Sequence, residues 1–286
     1  HYISEKYDFL LAFVQELLTQ GFRNIGFEMS YSDGLLLDKY LASGDERYLN
    51  LMWSLGYRGE DMDLGDRTSR PKMFRLQSYD WLKDLQTERR WFFRQLYRLS
   101  TQVESGERLK AFGFDLQVID PEVVYGSLYR LLEPARDNPV ISSLKSNLQR
   151  IPGQSLAEEV ERLQWLKRAL TEDADIFASQ LGPKFEEFRH LVAFLIESLG
   201  MFQQAEAATT TRTVYGYLKR REQMMISRLH QVLRDNERQE KVILSGHIMH
   251  LSKDDRELWF PSAKRPRAKP IWWTLGTELA NLYPEE

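Results

Sequence analysis

The chain has 286 residues, no cysteine, 42% hydrophobic and 28% charged residues, and a formal charge of −3. That is enough apolar material for a sizeable core, and it excludes disulfides, thiolate metal sites and a cysteine nucleophile. The small net charge gives no global pull toward nucleic acid or anionic membrane. No apolar run approaches the roughly 20 residues of a membrane span, and no secretory signal is visible, so a reducing, cytoplasmic setting is expected.

Residues 5–20 carry Phe9, Leu10, Phe13, Leu17 and Leu18 at three- and four-residue spacing. This predicts a helix with Ser4 as its N-cap and Gly21 as its stop. Residues 22–28 alternate and predict a strand ending at Glu28, the first helix–strand step of an α/β sheet. Residues 32–42 and 45–55 read as helices. The stretch 56–71, rich in Gly, Asp and Arg, reads as a long surface loop. A long amphipathic helix is expected over 78–102, with Trp81, Trp91, Phe92 and Tyr97 among its aromatics. Residues 109–115 predict a second strand, ending in Asp115. Helices follow at 121–132, opened by Pro121, and at 142–148, 155–171, 184–207 and 211–236. The β-branched run at 242–244 predicts a third strand. Ser245 and Gly246 end it, and His247 and His250 follow at once. Residues 271–273 are a candidate fourth strand. The basic, Pro-rich tract 264–270 reads as a solvated loop rather than a nucleic-acid patch. The layout is that of one α/β domain over residues 1–286. Its sheet is central and mostly parallel, flanked by helices, helix-rich overall, with a helical insertion or cap over about 121–210.

Parallel strands bring their carboxyl ends to one edge, where open α/β sheets bind ligands. If the three strands are neighbours, Glu28, Asp115 and His247 converge there. His1 joins them if a strand precedes it, because it leads directly into the helix before the Glu28 strand. An imidazole can take a proton from water near neutral pH and a carboxylate can fix its tautomer, worth about 10²- to 10⁴-fold in rate. The same side chains could hold zinc, although no strong ligand spacing is present. Blander readings stand beside these. Glu28 could be satisfied by backbone N–H groups, and Asp115 could cap the next turn. His190 and His230, on helices, read as ordinary surface or core histidines. Lys219, Arg220 and Arg221 read as a solvated helix face from which one arginine could reach the site. There is no Gly-x-Ser-x-Gly elbow, no phosphate-cradling loop and no dinucleotide fingerprint.

The blocks in their order resemble the erythromycin esterase-like family. "HYISEKYDFLLAFVQELLTQGFRNIGFEMSYSDG" is similar to that family's block of a signature histidine, a helix and a strand ending in Glu, with His1 and Glu28 at those positions. "AFGFDLQ" resembles its Gly-x-Asp strand end at Gly113 and Asp115. "RREQMM" resembles its Arg-Asp/Glu-x-x-Met helix segment at Arg221, Glu222 and Met225. "KVILSGHIMHLSK" resembles its strand with His-x-x-His at His247 and His250, and "WTLGTEL" its late segment near Gly276. Tyr2 and Ile248 depart from the family's usual residues, and the family's Gly-Glu would lie upstream of His1, on a strand preceding this chain. The resemblance implies a bacterial, cytoplasmic hydrolase that cleaves a small-molecule ester, in the family's macrolide-resistance members a macrolactone, by activated water, without cofactor or metal. His1 would be the general base and Glu28 would orient it. His247 and Arg221 would stabilise the developing oxyanion, and Asp115 and His250 would bind substrate. Three alternatives stand beside it: a metal-dependent hydrolase using the same residues, a non-catalytic binding or glycan-biosynthesis accessory protein on the same fold, and copper chelation by a true N-terminal His1. Nothing in the sequence sets the oligomeric state.

Overall fold

Glycine sits at the centre of the first strand, and the side chains of both neighbouring strands close over it. A Cβ on Gly26 would lie 2.5 Å from the Phe112 ring and 2.8 Å from the Leu244 side chain. Those residues belong to the two strands beside it. The computed structural model describes residues 5–55, 80–103, 107–115, 121–132, 138–149, 151, 154–207, 211–235, 241–246, 251 and 274–282. Its elements begin with α1 (Glu5–Thr19), β1 (Asn24–Ser30), α2 (Tyr31–Ser43), α3 (Glu46–Asn50) and α4 (Asp80–Thr101). Next come β2 (Lys110–Asp115), α5 (Pro121–Leu132), α6 (Pro139–Leu148), α7 (Leu156–Glu172), α8 (Ala174–Leu181) and α9 (Phe185–Ala207). The last are α10 (Thr211–Asp235), β3 (Val242–Ser245) and α11 (Leu275–Leu282). The three strands form one parallel sheet in the order β2-β1-β3, flanked by helices. The α/β expectation therefore holds. No helix among the described residues is long and apolar enough to cross a membrane.

Strand alternation sends the two sides of β1 into different cores. Ile25, Phe27 and Met29 enter a core shared with α1, α2 and α4, where Phe27 meets the rings of Phe92 and Phe93 at 6.0 and 5.9 Å. On the other side, Phe112, Phe114 and Leu244 pack with Met225 and Leu229 of α10 and Leu275 of α11. Gly26 and Glu28 share that second side. Helices α5 to α9 surround a core of their own, joined to the sheet layer through Tyr31 at the start of α2.

Local chemistry explains the boundaries. Asn138 caps α6 by accepting from Ile141 N, so that helix starts before residue 142. Ser155 and Glu158 form a capping box on α7. Gly21 adopts φ 84° after α1. β1 runs two residues past Glu28, to Ser30, which then caps α2 by accepting from Asp33 N. Its pairing with β2 is irregular between Phe27 and Ser30. Helix α8 is not among the elements expected from the sequence; Asp173 both ends α7 and begins α8, with no Gly or Pro between them to mark the boundary. The loop expected at 56–71, the candidate strand at 271–273 and the tract 264–270 lie outside the described residues.

Helix α2 lies against the outer edge of β2 with almost nothing between the backbones. A Cβ on Gly34 would fall 2.0 Å from Gly113 N, and one on Gly113 would fall 2.1 Å from Ser30 O. One turn further along α2, Asp38 Oδ1 accepts the Ala111 N–H at 2.9 Å. Burial pushes the Asp38 carboxyl above its ordinary range, against that hydrogen bond and against Lys110 and Lys39. A pKa raised by folding means the neutral acid is the form the fold prefers. Its contribution is full below the unfolded-state value and is lost as pH rises through the folded-state value. An amide keeps the acceptor without the charge. Asp38→Asn is therefore expected to match or exceed the parent in stability at pH 7 and to lose that advantage at pH 3. Urea melts at the two pH values check it.

A candidate site at the carboxyl edge of the sheet

Glu28, Asp115 and Arg221 come from β1, β2 and α10 and meet at the carboxyl end of the sheet. Arg221 Nε donates to Asp115 Oδ1 at 2.9 Å and its Nη2 to Asp115 Oδ2 at 2.6 Å, a two-pronged pairing of the kind a planar guanidinium favours. The same Nη2 reaches Glu28 Oε1 at 3.2 Å. The Asp115 side chain is fully buried, at 0% exposure, whereas Glu28 keeps 18%. Glu28 is therefore the more accessible acid. Burial alone would lower the Arg221 pKa, but Asp115, with help from Glu28, outweighs it and holds the guanidinium charged. Arg221 Nη1 makes no hydrogen bond among the described residues.

Arg221 occupies the position between two carboxylates where a cation would otherwise be drawn. Among the described residues no group of three His, Asp or Glu is placed to hold a metal ion. One turn earlier on α10, burial pushes the Tyr217 phenol up, opposed by Arg221, so a neutral phenol stands beside the cluster. Glu222, 1% exposed, turns the other way and accepts from Leu275 N at 2.7 Å, fastening the start of α11 to α10. Met225 fills the core beneath. Around Glu28 the third strand closes in: a Cβ on Gly246 would stand 3.3 Å from Glu28 Oε2 and 3.4 Å from the Phe114 ring. The first turn of α1 is also within electrostatic reach, since Glu28 acts on the Lys6 ammonium.

Of the residues expected in the site, Glu28, Asp115 and Arg221 are brought together, whereas His1, His247 and His250 lie outside the described residues. Lys219 and Arg220 are exposed, as a solvated face requires, but Arg221 beside them is buried. The signal for that was its spacing, four residues before Met225 and eight before Leu229, on the apolar side of α10. His190, read as an ordinary helix histidine, lines a pocket that also reaches Asp115.

No family model and no curated protein sequence matches the chain. Solved structures do. A Bacillus cereus protein is 15% identical with a TM-score of 0.55, over 96% of this chain and 58% of that one. A histidine-to-asparagine mutant of the erythromycin esterase EreC, in its open conformation, is 18% identical with a TM-score of 0.52, over 98% of this chain and 64% of that one. The chain thus spans about three fifths of the length of these structures. At such identities the likeness shows a shared fold, a distant structural relationship.

Proposed function

We propose that the chain is a hydrolase of small-molecule esters, working at the carboxyl edge of its sheet by histidine-activated water. The observation that carries this reading is the convergence of Glu28, Asp115 and Arg221 at the carboxyl end of the sheet, with Glu28 left as the more accessible acid. His247 directly follows Gly246 in the sequence, and a Cβ on Gly246 would stand 3.3 Å from Glu28 Oε2. The fold shared with an erythromycin esterase supports the choice of an ester.

In this reading His1 takes the proton from water as it attacks the ester carbonyl. Glu28, held in place by Arg221, orients the imidazole and favours its charged form. His247 donates to the developing oxyanion, and later to the leaving alkoxide. Asp115, bonded through both oxygens to Arg221, positions the guanidinium, and among the described residues Arg221 Nη1 is left as a donor. His250 binds substrate. The work is done in the cytoplasm, and the substrate is small; nucleic acid and membrane have no part in it.

The test is a panel of esters that includes macrolactones, run on the purified chain and on His247→Ala, His1→Ala and Glu28→Gln, with and without a chelator. Loss of about 10²-fold or more in kcat/KM in the histidine variants, with unchanged melting and no effect of chelation, is expected. Turnover that survives both histidine changes overturns the mechanism. Activity abolished by chelation favours the metal-dependent reading, and binding of esters without turnover favours a binding or accessory protein.

A further inference from the structure

Helices α9 and α10 enclose a pocket of about 180 Å³ that reaches Asp115 of the ion cluster from the side of the helical layer. Its polar wall is a connected set. The Arg228 guanidinium lies over the Tyr31 ring, 3.7 Å from its centroid, and Tyr31 meets Phe194 edge-on at 5.7 Å. Arg228 Nη1 donates to Gln231 Oε1 at 2.6 Å. That bond fixes the amide, so that Gln231 Nε2 faces His190 Nε2 at 3.3 Å. An amide nitrogen only donates, so His190 Nε2 is the acceptor in this pairing. The apolar wall comes from Tyr31, Phe194 and Met224.

A polar seam between two helices needs no open volume beside it, and a volume kept for packing alone would be lined with apolar side chains. Neither sign of charge has the lining to itself. Asp115 is paired with Arg221, and Glu197 at the rim is within electrostatic reach of Arg228. An added carboxylate would meet Asp115 and Glu197, and an added ammonium would meet Arg228. A hydroxyl group both donates and accepts, so it can use the guanidinium, the amide and a carboxylate together. The volume is well under the 300–1,000 Å³ or so of a drug-sized site. We infer that this pocket binds a neutral, polyhydroxylated ring of monosaccharide size, with its C–H face on Phe194 and Met224 and its hydroxyls on Arg228, Gln231 and Glu197. The inference stands whether or not the chain cleaves esters.

The experiment is an NMR titration of the full chain, following the His190 ring signals, assigned by their loss in His190→Gln. The probes are methyl α-glucoside, glucuronate and glucosamine. Saturable shifts are expected with the glucoside, with the charged sugars at least severalfold weaker. Gln231→Ala should weaken the glucoside by up to about tenfold, the loss of one or two hydrogen bonds. Ala193→Leu, which fills the pocket from α9, should abolish the response. If that variant does not fold, Ser227→Phe at the rim does the same from α10. Ring signals unmoved by the glucoside, shifts that persist in the filled pocket, or tighter binding of either charged sugar overturn the inference.

Discussion

Arg221→Met is expected to destabilise the folded chain by about 3–5 kcal/mol, the loss seen when one partner of a buried ion pair is removed. Two carboxylates would remain side by side, one of them with no exposure to water. The size of the effect comes from those abandoned charges and not from the bonds themselves. It should therefore shrink as pH falls through the carboxylate range, because a protonated Asp115 or Glu28 no longer needs the guanidinium. Arg221→Met combined with Asp115→Asn and Glu28→Gln should recover most of the loss, since a neutral set of similar volume is tolerated far better than a broken one. Arg221→Lys should fall between, as a single ammonium cannot serve both Asp115 oxygens in the plane that Nε and Nη2 define. Urea unfolding at pH 7 and pH 4 measures all of this. A single variant as stable as the parent at pH 7 would show that the three residues do not act as one unit.

The second large effect is expected from a single methyl group. Gly113→Ala and Gly34→Ala each push a Cβ to about 2 Å from a backbone atom. No rotamer change relieves such a contact, because the obstacle is Ser30 O in one case and Gly113 N in the other. The loss should exceed the 1–3 kcal/mol or so typical of overpacking at side chains. Because β2 must move away from the start of α2 in one variant and from the end of β1 in the other, Asp115 should also leave Arg221. Gly200→Ala and Gly216→Ala are the controls: both lie in helices with nothing within 4 Å of the added carbon, and each should stabilise by up to about 1 kcal/mol. Thermal melts of the four variants decide it; equal behaviour at Gly34 and Gly200 would refute the close approach of α2 to β2.

Much of this was legible in the sequence because it is local. Helical spacing and end signals marked α1, α2, α4, α5, α7, α9 and α10, and apolar runs ending in an acid marked β1 and β2. Parallel pairing then makes Glu28 and Asp115 neighbours. What escaped depends on contacts between distant pieces of chain. Arg221 itself was within reach of the sequence, since it alone of Lys219, Arg220 and Arg221 shares a helix face with Met225 and Leu229, both fully buried; its two-pronged pairing with Asp115 was not. His190 looked incidental because the residues that give it a setting, Arg228 and Gln231, lie on the next helix, about 40 residues on in the chain. The two-residue extension of β1 escaped because Ser30 serves at once as strand residue and helix cap, roles that propensity assigns to separate positions.

Along β2 the outward Ala111 amide is already taken by Asp38, and the Gly113 amide is roofed by Gly34. Among the described residues a newcomer strand finds no ladder to zip onto at that margin, so architectural growth of the sheet, by further chain or by a docking peptide, is barred on the β2 side.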